Sequence, residues 1–208
     1  MAITTYAELQ TAISDYLSRT DLGPFIPDFI NMAEDWLNFG SESVAPLRTR
    51  EMEATVSLVP VNGVVSLPTD YLEALRVSEN TSYKRTLNYI TSDEAERLYP
   101  DGAAGLGTAY SIIGTSLYTF PLVSNNVNLV YYQAIPSLSA LNPTNWLLTK
   151  SPSVYLRASL MQAADYTKDD GELTKQAQLA GALIAGLNRS DMMGKYRRAG
   201  VSMRGPTP

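Results

Sequence analysis

The spacing of apolar residues changes twice along this chain. From Thr4 to Gly40, and again from Pro152 onward, they recur every three or four positions, as on one face of a helix. Between Met52 and about Ser137 they fall in short or alternating runs rich in Val, Thr, Tyr and Ile, broken by Gly, Pro and Asn. The first segment, TTYAELQTAISDYLSR, predicts a helix capped by Thr4 or Thr5 with Tyr6, Leu9, Ile13 and Tyr16 on one face. A second helix starts near Pro24–Pro27, because proline is tolerated in a first turn, and ends at Gly40. Its apolar face is Ile26, Phe29, Ile30, Ala33 and Leu37, and Glu34 and Asp35 are expected on its solvated side.

The middle region reads as strands. EATVSLVPVNGVVSLP predicts a hairpin turning at Asn62-Gly63, since a tight turn needs positive φ there. YLEALRVSE and YKRTLNYI predict two more strands, and AYSIIGTSLYTF a second hairpin turning at Gly114-Thr115. TSDEAERLYP predicts a short helix, with Thr91 and Glu94 as a capping box. VNLVYYQAI alternates Val127, Leu129 and Tyr131 against Asn128, Val130 and Tyr132, which turns one of the paired tyrosines inward and the other outward. Helical spacing resumes with SPSVYLRASLMQAADYTK, whose inward face is Val154, Ala158 and Met161. A last helix follows with a seam of Leu173, Ala177, Ala180, Ile184 and Leu187 suited to packing on another helix.

The predicted fold is α+β: a helical bundle made by N- and C-terminal helix pairs, with an inserted, mostly antiparallel β domain and an extended C-terminal tail. The boundaries are residues 1–46 and 145–194 for the bundle, 47–144 for the β domain and 195–208 for the arm.

Composition narrows the chemistry. With neither cysteine nor histidine, the chain cannot make disulfides, thiolate or Ser-His-Asp nucleophiles, or the usual zinc sites. GAAGLG at 102–107 has the wrong glycine spacing for a dinucleotide loop and reads as a flexible link before a hairpin. Asp169 and Asp170 lack the repeated spacing of a calcium loop and suit a helix–helix turn. A carboxylate hydrolase or transferase using Glu34, Asp169 or Asp170 is therefore the weakest reading. No cofactor or metal is expected, no segment reads as a membrane span, and no export signal is expected.

Charge is uneven. The net charge is −5, and residues 195–208 carry four cations and no acid, which leaves −9 on residues 1–194. An acidic body does not grip a nucleic-acid backbone, which demands cations. The cationic end, KYRRAGVSMRGPTP, is broken by Gly and Pro. It reads either as a solubilising terminus or as an arm that orders on a partner's surface. Thirteen tyrosines against four phenylalanines make Tyr131 and Tyr132 candidates for an interface, or for a small sheet's core.

The order and spacing of FINMAEDWLN, LRTREMEATVSL, LPTDYLEALRV, NLVYYQAIPSLS and NWLLTKSPSVYLRASLMQAADYTKDD resemble the adaptor, or head-to-tail connector, proteins of tailed bacteriophages. The resemblance covers almost the whole chain. It implies a non-enzymatic structural protein of the virion neck or tail, assembled in the host cytoplasm. It implies a homo-oligomeric ring, a dodecamer, beneath the portal protein, with a tail or nozzle protein below and DNA passing through its channel without specific binding. It also implies a C-terminal arm that docks on the portal, here Lys195, Tyr196, Arg197, Arg198, Met203 and Arg204. Another neck, head-closure or tail-tube protein, with the β region as its assembly surface, is the alternative.

Overall fold

A computed structural model describes residues 3–19 and 21–196. The fold is α+β, and the chain divides into two compact units: residues 1–51 with 135–208, and residues 52–134.

In the helical unit, α1 (Tyr6–Leu17) starts with the full capping box. Thr5 Oγ1 accepts from Glu8 N, and the Glu8 carboxylate accepts from Thr5 N. A 3₁₀ turn, Gly23–Phe25, leads into α2 (Ile26–Phe39), with proline in the first turn as predicted. Gly40 stops it at φ 73°, and a Cβ there would lie 2.6 Å from the Val44 carbonyl oxygen, so only glycine fits. Leu9, Ile13, Phe29, Ile30, Ala33 and Leu37 are buried. Tyr16 departs from the predicted face: in the last turn of α1 it is exposed, with the Arg157 guanidinium 5.4 Å from its ring centre.

For the β unit we label seven strands: β1 Glu53–Leu58, β2 Val64–Ser66, β3 Tyr71–Glu79, β4 Arg85–Tyr89, β5 Ala109–Ile113, β6 Ser116–Phe120 and β7 Val127–Gln133. The helix α3 (Ser92–Leu98) joins β4 to β5, capped by the Thr91 hydroxyl, which accepts from Glu94 N. The strand order is β1-β7-β3-β4-β5-β6-β2, antiparallel except between β4 and β5. The second predicted hairpin is present, with Ile113 opposite Ser116.

The first predicted hairpin is corrected. Asn62 and Gly63 do adopt positive φ, closing a bridge from Val61 to Val64. Yet β1 pairs with β7 and β2 with β6, so the local turn is right and the strand pairing is not. Turn chemistry is local, whereas the partner of a strand is set by the burial of its whole face. The link from Leu58 to Val64 spans six Cα steps, at most about 20 Å, so the sheet must curl to bring its two ends together. Val65, Val77, Leu87, Tyr110, Leu117, Val127, Leu129 and Tyr131 fill the core it encloses.

The chain returns to the helical unit through α4 (Trp146–Lys150), a short helix the apolar spacing did not signal, capped by Asn145. α5 (Pro152–Thr167) is the hub, packed by α1, α2, α4 and α6 (Asp170–Tyr196). It buries Tyr155, Leu156, Ser159, Leu160 and Ala163 besides the predicted face, so a helix expected to be one-sided is covered nearly all round. The α6 seam is only half used. Ala180 and Ile184 are buried, while Leu173, Ala177 and Leu187 stay partly open.

Candidate assembly site at the helix ends

The described part of the predicted arm is helical. Lys195 and Tyr196 form the last positions of α6 rather than the start of an extended segment. Lysine and tyrosine accept helical dihedrals, so Gly194 costs the helix about 1 kcal/mol without ending it. Arg197, Arg198, Met203 and Arg204 lie outside the described residues.

This end of α6 is tied down. Asn188 Oδ1 accepts from Arg48 N at 2.9 Å, and Asn188 Nδ2 donates to the Pro46 carbonyl at 3.0 Å. One turn on, the Asp191 carboxylate accepts from Arg50 Nε at 2.7 Å and lies 3.5 Å from Lys195 Nζ. The Asp191 side chain is 4% exposed and that of Arg50 56%. Burial opposes ionisation of Asp191, but the Arg50 hydrogen bonds and the Lys195 charge outweigh it and hold the carboxyl below its ordinary value. The side chains of α6 thus clasp residues 46–50, the segment that leads to the β unit. Lys150 Nζ adds a bond to Glu51 at 2.6 Å.

A second clasp holds the segment that returns from it. Asn38 Oδ1 accepts from Ile135 N at 3.0 Å, and Glu34 Oε1 accepts from Leu138 N at 2.8 Å and from the Tyr155 hydroxyl at 3.1 Å. Asn145 Nδ2 donates to that hydroxyl at 2.6 Å and to the Pro136 carbonyl at 2.7 Å. Glu34 is 3% exposed, which corrects its predicted place on a solvated face; Asp35 is exposed as predicted. The correction has a signal in the sequence: Glu34 is four residues from Ile30 and eight from Ile26, so it falls within the buried arc. Burial raises its pKa against the opposing pull of the Leu138 amide and the Tyr155 hydroxyl. The same burial, then the Glu34 charge, pushes Tyr155 far above the usual phenol range.

Tyr131 and Tyr132 are 5% and 9% exposed, so neither ring is turned out to solvent as the alternation implied for one of them. Tyr131 stacks on Tyr71 with ring centres 5.9 Å apart, and its hydroxyl donates to Asp70 at 3.0 Å. Its pKa is pushed up to about 12 by burial and by the Asp70 carboxylate. Of the other carboxylates weighed for catalysis, Asp169 caps α6 by accepting from Glu172 N, and its hydrogen bonds do not join the Glu34 network. The 102–107 loop is held rather than loose. Gly107 N donates to the buried Glu79 at 2.9 Å, and Gly105 N donates to the Leu122 carbonyl at 3.0 Å. Among the described residues there is no group of three or more Asp and Glu that could hold a metal ion, and no helix long and apolar enough to cross a membrane.

Sequence reasoning missed Asn38, Asn145, Tyr155, Asn188 and Asp191. Asn38 and Asn188 bond distant backbone, Tyr155 and Asp191 bond the distant side chains of Glu34 and Arg50, and Asn145 bonds the Pro136 carbonyl and the Tyr155 hydroxyl across a bend, none of which a local spacing announces. Compared with known proteins, residues 4–205 match the profile of the SU10 adaptor protein family. No curated protein matches the chain.

Proposed function

The chain belongs to the SU10 adaptor protein family, phage head-to-tail adaptors, and from that membership we propose that copies of it form a ring beneath the portal. In this reading the residues after α6 dock on the portal protein, a tail or nozzle protein attaches below, and DNA leaves through the channel without specific binding. The single observation that carries the docking part is the anchored end of α6. A helix fixed by Asn188 and Asp191 delivers a segment with Arg197, Arg198 and Arg204 and no acid. Ordering such a segment costs of order 1–2 kcal/mol per residue of backbone fixed, and arginine–carboxylate contacts in a cleft between partner subunits offset it.

Charge supports the channel. With −9 on residues 1–194, the body repels phosphate, and passing DNA is not retained. Because Lys195 and Tyr196 complete α6, the informative truncation begins at residue 197. A chain ending at Tyr196 should keep the full-length circular dichroism and melting temperature and lose binding to the portal protein of the same virus. Undiminished portal binding by that chain would remove the docking role, and electron microscopy of the neck would then separate an adaptor ring from a head-closure or tail-tube protein.

A further inference from the structure

The outer face of α6 is an apolar strip with an opening in it. Leu173, Ala177, Gly181 and Ala185, with Val44 and Ala45 of the loop after α2, line a groove of about 580 Å³. Met192 and Tyr196, each more than half exposed, continue the same helix face toward its C-terminal end. Ala177, Gly181 and Ala185 leave the middle of the groove open between the longer side chains of Leu173 and Asn188, which makes room there for a larger side chain.

Helix α2 carries the counterpart. Met32 and Phe39 are 50% and 69% exposed, and with the half-buried Trp36 they form a ridge at spacings of four and three, beside the buried arc. The two helices both pack on α5, so ridge and groove are separate patches of one unit. The charges at the ridge and at one end of the groove are opposite. Asp28 and Asp35 are exposed beside the ridge, and there is no Lys or Arg from Gly23 to Phe39. Arg189 is exposed just past Ala185, while Glu42 and Glu172 stand near the Val44 and Leu173 end and Lys195 is engaged by Asp191.

The geometry points to a contact between copies of this chain: the Met32–Trp36–Phe39 ridge of one seats in the Ala177–Gly181–Ala185 groove of the next, with Asp35 toward Arg189. It rests on the ring reading above and names the surfaces that make the ring. The two patches differ, so each copy gives one and receives one. Such a heterologous contact is the kind that closes into rings.

The chain has no cysteine, so single introduced cysteines report the contact without background. Purified Met32→Cys chain, mixed with Ala177→Cys or Ala185→Cys chain and oxidised, should give a disulfide dimer of one of each, and none of the three should give one alone. By light scattering, Phe39→Glu should be monomeric with an unchanged melting curve, since that side chain is exposed. Arg189→Glu should weaken assembly at least tenfold, and adding Asp35→Lys to the same chain should restore it. If Phe39→Glu still assembles and no mixed pair cross-links, the contact is wrong while the ring reading stands. A disulfide dimer of Met32→Cys alone would mean a two-fold contact through α2 and overturn it equally. Unaltered chain that is monomeric at every concentration overturns both.

Discussion

Residues 46–50, which lead toward the β unit, and residues 135–145, which lead back, are both gripped by helix side chains, but in different media. The inbound segment is held at the end of α6 by Asp191, a buried acid whose cationic partner Arg50 is more than half in water. The returning segment is held by Glu34 and Tyr155 in a site closed to solvent, with backbone amides and a hydroxyl as donors. The difference teaches where rigidity resides. A dry clasp fails expensively when one member is lost, because the others are left unpaired. A half-wet clasp lets its cations return to water, so its loss costs little.

The largest expected effect follows from Glu34→Ala. It strands the Leu138 amide and removes the Tyr155 hydroxyl's acceptor, at about 1–3 kcal/mol for each buried group, and adds a cavity. Urea denaturation should show the midpoint falling steeply with the slope little changed. Tyr155→Phe keeps the ring and removes one hydroxyl, so about 1–2 kcal/mol is expected by the same measurement. Asp191→Ala removes the buried charge itself and leaves Arg50 and Lys195 solvated, for about 1 kcal/mol or less. A loss at Asp191 as large as that at Glu34 would abolish the distinction.

Acidity sharpens the contrast, because the two carboxyls are shifted in opposite directions. Glu34 is raised above its ordinary value of 4.5, so the folded state binds the proton more tightly. Its contribution is fullest below that value and declines as pH rises toward the folded pKa. Asp191 is lowered from 3.8, so its contribution is complete above 3.8 and is lost as pH falls through the folded pKa. Melting temperatures across this range should therefore lose the decline above 4.5 in Glu34→Gln, and lose part of the acid-side fall in Asp191→Asn. The smallest effect should be Gly194→Ala. Its added Cβ meets the flexible end of Arg50 at 2.7 Å, while alanine gains about 1 kcal/mol of helix propensity. A net change near zero in melting temperature is the expected result.

The helices were legible because their signals are local. Thr5 with Glu8, prolines in the first turn of α2, and Gly40 at its end each act within a few residues. The strands were legible as segments but not as a sheet. Nothing near Leu58 says that its partner is Val127, and the Asn62-Gly63 turn argues for a neighbour it does not have. α4 is five residues long, too short for a period to show. Glu34 was missed because a charge was assigned by type when its position on the arc said otherwise. The seam of α6 was read as helix-packing surface, and about half of it packs within the chain.

The placement of β1 bears on how the chain is made. Among the described residues it pairs with β7, whose residues come 69 to 79 positions later, from Leu58–Val127 to Glu53–Tyr132. α5, the hub of the other unit, is translated later still. A ribosome therefore releases β1 long before β7, and α1 and α2 long before the α5 they pack on, and pairings this distant in sequence form slowly. The β unit can close once β7 has been made, the helical unit only after α5 and α6 have followed it, and a nascent chain stalled before residue 127 would carry an unpaired β1 edge open to other chains.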